Sequence, residues 1–308
     1  MFKRLVIATR RSALALTQTQ WVAGRLKQFH PELQVELLEL ITSGDRLTQR
    51  PAFGGKGLFI KELEEALGAG DADIAVHSMK DVPMHLPSGF VIAAIPERED
   101  ARDAFVSNRY LGLAEMPEGA RIGTSSLRRQ SAIKARFPHL KVSPLRGNVD
   151  TRLKKLDSGQ YDAVVLAAAG LKRLKLAHRI TRVIAPDEII PAPGQGALAI
   201  EALDHRHDIH DLVAPLAHLP TATCVVAERA FSAALSGNCN VPLGVYAEIR
   251  GETLTLHGFV ATPDGATLIS DQLDGSASDP AALGIELAER LRARGADAIL
   301  AALRRDEG

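Results

Sequence analysis

The apolar positions of this chain change period repeatedly. Residues 3–9 (KRLVIAT), 34–42 (QVELLELIT) and 72–77 (ADIAVH) form short β-rich runs, and 12–29 and 58–69 between them repeat at helical spacing. Strands alternating with helices predict βαβ units on a parallel sheet. A second block follows the same logic: RIGTSS (121–126) ends a strand, 127–136 is a helix, KVSPL a strand, 148–158 a helix, and YDAVVLAAAG a strand running into a turn. Proline and charge in IPEREDARD (95–103) mark a crossing between the blocks, and PAPGQGALAIEA (191–202) marks the crossing back. After LAHLPTAT the pattern changes to a helix at about 221–235, three alternating strands (VPLGVYAEIR, ETLTLHGFVAT, ATLISDQLDG) with hairpin signals, and a closing helix from about 280. The expectation is α/β, in two blocks, plus a small C-terminal α+β domain.

Composition narrows the class. With 308 residues, 46% hydrophobic, 24% charged, and 37 basic against 37 acidic side chains, the chain reads as an ordinary globular protein with no general attraction to nucleic acid. No apolar run approaches the roughly 20 residues that cross a bilayer, and MFKRLVIATRRSALAL lacks an h-region with a cleavage site, so a cytoplasmic location is expected, with no membrane partner. The two cysteines, Cys224 and Cys239, form no metal-ligand spacing. Cys224 lies among Ala and Val on a predicted helix and reads as a core residue. His205, His207 and His210 lack a firm ligand geometry, and no metal is expected.

The polar loops at strand ends carry the candidate chemistry. IATRRSALAL sets Arg10 and Arg11 at a strand terminus with Ser12 as a helix cap, and IGTSSLRRQS sets Thr124, Ser125 and Ser126 before a first turn holding Arg128 and Arg129. Capping accounts for the hydroxyls, but cations at that end oppose the helix dipole. An anion site accounts for both, because backbone N–H groups, hydroxyls and guanidinium forks all favour carboxylate or phosphate. LRGNVDTRL adds Arg146 and Arg152 around Gly147 and Asn148, and AGLKRLKL adds Lys172 and Arg173. Four such loops point to a polyanionic ligand in a cleft between the blocks.

HSMKDVP (77–83) follows a buried strand and places Lys80 beside Asp81. It is either an exposed turn with a weak ion pair, or a general acid/base and stabiliser of a cationic intermediate at Asp81. FGGKGLF (53–59) lacks the Ser or Thr of a phosphate loop and reads as a Gly-hinged lid carrying Lys56 and two aromatics. In SGNCNVPLG (236–244), Cys239 stands among turn residues, either as a free surface thiol, as a structural residue, or as a nucleophile whose sulfur a loop shaped by Gly237 and Pro242 is expected to present outward.

Together ATRRSALAL, GGKGLF, HSMKDVP, GTSSLRRQ, LRGNVDTRL, AGLKRL, PGQGALAIE and ERAF…GNCNVPLG resemble, in order and across the whole chain, the porphobilinogen deaminase (hydroxymethylbilane synthase) family of tetrapyrrole biosynthesis. The resemblance implies two domains similar to type II periplasmic binding proteins with a cleft between them, and a small α+β domain. With the crossings above, the boundaries become 1–98 with 194–217, 99–193, and 218–308. It also implies a dipyrromethane cofactor joined by a thioether to Cys239, onto which four porphobilinogens are condensed head to tail with loss of ammonia before hydrolysis releases hydroxymethylbilane. Asp81 resembles the family's catalytic carboxylate, which assists ammonia loss and stabilises the azafulvene cation. Arg10, Arg128, Arg129, Arg146, Arg152 and Arg173 resemble the acetate and propionate binders, joined by Lys80, Ser12, Ser78, Thr124, Ser125, Ser126, Gly147 and Asn148. Phe59 with Lys56 falls on the lid, Gln195 near the hinge, and a monomer is favoured.

Two positions depart from the family pattern. Asn238 precedes Cys239 where a smaller residue is usual, and Arg11 doubles Arg10. A solute-binding protein, or the effector domain of a regulator, would use the same scaffold. Neither an export signal nor a DNA-binding helix pair is visible in the sequence. A chain lacking the cofactor is the remaining alternative.

Overall fold

The computed structural model describes residues 3–43, 60–235 and 241–305. They begin with β1 (Arg4–Arg10), α1 (Ala13–Phe29), β2 (Gln34–Leu40), α2 (Lys61–Ala69), β3 (Ile74–Ser78) and β4 (Phe90–Ala94). Then come β5 (Asp103–Val106), β6 (Arg121–Gly123), α3 (Leu127–Arg136), β7 (Lys141–Ser143), α4 (Val149–Asp157), β8 (Ala163–Ala167), α5 (Ala168–Arg173) and β9 (Arg182–Val183). The chain continues through β10 (Leu198–Leu203), α6 (His207–Val213), α7 (Leu219–Leu235), β11 (Leu243–Arg250), β12 (Thr253–Ala261), β13 (Leu268–Ser276), α8 (Pro280–Ala293) and α9 (Ala296–Arg305). Two compact units result: Met1–Glu99 with Ala197–Thr223, and Asp100–Gly196 with Cys224–Gly308.

In the first unit the described strands form one sheet in the order β2-β1-β3-β10-β4. Alternation along β1 sends Leu5 and Ile7 to one face, where Val22 and Leu26 of α1 cover them, and Ala8 to the other, against Leu63 and Leu67 of α2. A helix on each face thus encloses a strand that is apolar on both sides. The sheet is mixed rather than parallel, because β10 runs antiparallel to β3 and β4. A parallel neighbour needs a crossover that carries the chain back along the sheet, normally a helix. PAPGQG leads straight into β10 instead.

The second unit holds a sheet ordered β7-β6-β8-β5-β9, with β6 parallel to β7 and β8, and β5 antiparallel to β8 and β9. Phe105 and Val165 pack on one face with Ile122 and Ile133, while Val106 and Val164 pack on the other with Leu153 and Leu156. The turn expected after VVLA is the short helix α5, in keeping with the helix-favouring sequence AAGLKR. The antiparallel sheet β11-β12-β13 gathers α7, α8 and α9 around Phe231, Leu256, Leu287 and Leu291, and Cys224 is buried in that core. Among the described residues no single helix is long and apolar enough to cross a membrane.

Phe231 is fully buried, and its ring lies 2.7 Å from where a Cβ at Gly258 would stand. Phe231→Ala is expected to cost about 3–5 kcal/mol, read from urea denaturation midpoints with an unchanged slope. A loss under about 1 kcal/mol would contradict this packing.

Candidate active site

In the first unit the ends of β1 and β3 meet the start of α1. Ser12 has extended backbone angles and caps α1 by accepting from the Ala15 N–H, as its type and position predict. One turn on, the buried Gln18 donates from Nε2 to the Ser78 hydroxyl at 2.8 Å. β3 ends at Ser78, and a single 3₁₀ turn, Met79–Asp81, places Lys80 and Asp81 immediately after it. The Met79 N–H is fixed to the Ala197 carbonyl at 3.0 Å, which anchors that turn to the segment entering β10. Arg10, Ser12, Gln18, His77, Ser78 and Asp81 line a recess of about 60 Å³. The half-buried Asp81 carboxylate makes no hydrogen bond or ion pair with the described residues. A buried pair lies in the same sheet: His77 on β3 approaches Glu201 on β10 at 2.8 Å. A wider depression of about 780 Å³ is lined by Glu39, Glu62, Glu65 and Asp71 with Arg11. Its acidic rim repels carboxylates.

In the second unit, Ser126 caps α3 by accepting from the Arg129 N–H, Thr124 Oγ1 accepts from the Ser126 N–H at 3.2 Å, and Ser125 donates to the Leu145 carbonyl at 2.9 Å. Arg128 and Arg129, in the first turn, are almost fully buried and converge on Asp103, which is fully buried. Arg128 Nη1 stands 2.8 Å from Asp103 Oδ2, and Arg129 Nη2 stands 2.7 Å from Oδ1. Gln195 completes the cluster, donating from Nε2 to Asp103 Oδ1 at 2.8 Å and to the Ala101 carbonyl at 2.7 Å. Burial pushes the Asp103 carboxyl up, and the two guanidiniums outweigh it, holding the group well below the usual carboxylate range. Burial draws the Arg128 guanidinium down, while Asp103 opposes that shift.

The remaining basic loops are more open. Gly147 has a φ of 109°, and a Cβ there would come within 2.8 Å of the Thr151 side chain, so this position calls for glycine. Asn148 then caps α4 through the Thr151 N–H at 2.9 Å. Arg152 Nε donates to the Gly147 carbonyl at 2.7 Å, whereas Arg146 is exposed and has no carboxylate partner among the described residues. At the end of α5, Lys172 pairs with Asp100 at 3.0 Å, and Arg173 donates to the Gly196 carbonyl at 2.7 Å.

The first unit therefore gathers Arg10, Ser12, Ser78 and Asp81, with Lys80 in the same turn. The second holds Thr124, Ser125, Ser126, Arg128, Arg129, Arg146, Gly147, Asn148, Arg152, Arg173 and Gln195 on its own loops and helices. Lys56, Phe59 and Cys239 lie outside the described residues. Sequence reasoning missed Asp103, Gln18 and the His77–Glu201 pair. Asp103 is hidden at the end of the charged run EREDARD, its one signal being that it opens the buried strand DAFV. Glu201 carries a plainer one, a lone acid inside the apolar run LAIEAL.

Two family models match the chain. "Porphobilinogen deaminase, dipyromethane cofactor binding domain" covers residues 5–211, and "Porphobilinogen deaminase, C-terminal domain" covers residues 222–293. Porphobilinogen deaminase from Methylobacillus flagellatus is 58% identical over 303 residues, 98% of each chain. That from Nitrosomonas europaea is 56% identical over 303 residues, again 98% of each. Among solved structures, the periplasmic aliphatic sulphonate binding protein from Escherichia coli aligns over 75% of this chain and 70% of its own, at 15% identity and a TM-score of 0.42.

The depressed Asp103 carboxyl makes stability depend on acid. Its folded-state value lies below the unfolded value of about 3.9, so the stabilisation is complete above that pH and is lost as pH falls toward the folded-state value. Asp103→Asn is expected to show a shallower acid limb than the wild type in urea midpoints measured below about pH 4. An unchanged limb would contradict the ion cluster.

Proposed function

The chain belongs to the porphobilinogen deaminase family, and on that premise we propose that Asp81 is its acid–base carboxylate, that Cys239 holds the dipyrromethane cofactor through a thioether, and that the arginine loops bind the carboxylates of cofactor and porphobilinogen. The activity is that of a transferase of tetrapyrrole biosynthesis. What carries the reading of Asp81 is its uncommitted, half-buried carboxylate in a recess that Arg10, Ser12 and Ser78 also line.

The residues present fit a polyanionic pyrrole chain. Two buried guanidiniums face one carboxylate, Arg128 Nε is buried without a hydrogen-bond partner among the described residues, and Arg146 offers an exposed fork. When bound, the dipyrromethane supplies the pyrrole carbon onto which porphobilinogen units are joined.

Asp81 performs two tasks in this reading. As ammonia departs from porphobilinogen, the carboxylate stabilises the positive charge left behind. Once the new carbon–carbon bond has formed, the same oxygen takes up the pyrrole proton. Arg10 lines the recess as a fork for a carboxylate side chain, and Gln18 orients the Ser78 hydroxyl at 2.8 Å. Lys80, Thr124, Ser125, Ser126, Gly147, Asn148, Arg152 and Arg173 supply further cations and donors. Each pyrrole unit brings two carboxylates, so a growing chain accumulates charge that only such a set of cations offsets. The proposal extends to a cytoplasmic monomer of three domains, 1–98 with 194–217, 99–193 and 218–308, whose partner is a small molecule. An apolar core confined to residues 104–171 and another confined to 224–300 support the last division, and Phe259 and Ala261 of β12 join the two parts through a core shared with Phe105 and Ile122.

Intact mass and turnover test the assignment together. The wild type is expected to carry an adduct of two pyrrole units that disappears in Cys239→Ser. Asp81→Asn is expected to keep the adduct while turnover falls by about 10²–10⁴-fold. An adduct persisting without Cys239, or near wild-type turnover without the Asp81 carboxylate, would overturn it. For Arg146→Leu, the loss of a charge-assisted hydrogen bond of about 1.5–3 kcal/mol should appear as incomplete cofactor loading or arrested elongation. Normal product formation would count against that role.

A further inference from the structure

We propose that Asp103 is a positioning residue that sets the geometry of Arg128 and Arg129 for ligand carboxylates. The inference rests on the reading of those two arginines as carboxylate binders. Adjacent residues on a helix point about 100° apart, so neighbouring arginines splay unless something gathers them. Asp103 gathers them from the first position of β5, with Oδ2 2.8 Å from Arg128 Nη1 and Oδ1 2.7 Å from Arg129 Nη2.

The remaining donors are allotted unevenly. Arg129 Nη1 donates to the Val165 carbonyl at 3.0 Å, and its Nε donates to Asp103 Oδ1 at 3.1 Å. Arg128 Nη1 donates to the Ile190 carbonyl at 2.6 Å, while its Nε is buried with no hydrogen-bond partner among the described residues. One carboxylate between two guanidiniums leaves a net positive charge in a nearly dry site, where attraction for an anion is strong. Gln195 locks the carboxylate in turn, through Oδ1 at 2.8 Å and the Ala101 carbonyl at 2.7 Å. Asp103 itself, repelled by ligand carboxylates, acts only through the arginines.

Asp103→Glu keeps the neutralising charge but lengthens the side chain by one carbon, so it separates position from charge. The expected result is folded protein, by melting and near-ultraviolet circular dichroism, whose KM for porphobilinogen rises about tenfold, with a smaller change in kcat. A purely structural Asp103 would reduce the amount of folded protein and leave KM of the folded fraction unchanged. If Asp103→Glu does not fold, Gln195→Met serves, since it leaves both ion pairs and removes one hydrogen bond to Oδ1. Its expected KM increase is about threefold. Arg128→Met and Arg129→Met are measured alongside. Raised KM in the arginine variants with unchanged KM in the Asp103 or Gln195 variant overturns the proposal alone. Unchanged KM in the arginine variants overturns the reading beneath it as well.

Discussion

A single carboxylate with no solvent exposure, Asp103, makes it possible for this chain to keep two guanidiniums inside its second unit. Arg128 and Arg129 occupy the first turn of α3, where positive charge opposes the helix dipole and burial opposes any charge. Asp103 answers both costs at once. Removing one partner from such a cluster leaves an uncompensated buried charge, typically a loss of about 3–5 kcal/mol. The same carboxylate receives Gln195, so the start of β5, the first turn of α3 and the segment before β10 are joined at one point.

That segment, PGQG, is held on each side. Glu228 of α7, fully buried, accepts from the Gly194 N–H at 2.7 Å, Gln195 is bound to Asp103, and Arg173 donates to the Gly196 carbonyl. Charged groups therefore fix the backbone where the chain leaves the second unit, and a candidate carboxylate binder, Arg173, is among them. In the first unit the arrangement is the reverse. Asp81 is left uncommitted by the described residues, while the groups around it, Ser12 as a cap and Ser78 bonded to Gln18, have their places set by β1, α1 and β3. On the proposed reading, the carboxylate that exchanges protons is bonded to none of the described residues, and the hydroxyls lining the same recess are tied down.

The periodicity of the chain made most of its strands and helices legible, because strands such as VVLA and helices such as 12–29 bury their apolar residues at their own intrinsic spacing. Strand direction was not legible. LAIEAL reads the same whether it pairs parallel or antiparallel, and only the tertiary path makes β10 antiparallel to β3. The basic loops stood out because arginines after a strand have little structural reason to be there. Their partner did not, since Asp103 closes a run of surface-like charges and its burial depends on contacts 25 and 26 residues away in sequence. Gln18 was hidden for the same reason: a glutamine on a helix carries no mark of a bond made to Ser78, 60 residues on.

Ammonia release decides most directly whether the cationic loops and the Asp81 carboxylate serve a condensation or the mere capture of a ligand. Purified protein supplied with porphobilinogen is assayed for ammonia released against porphobilinogen consumed. One ammonia is expected for each porphobilinogen that disappears. Porphobilinogen bound without ammonia release, or consumed without it, would rule out a deaminating condensation.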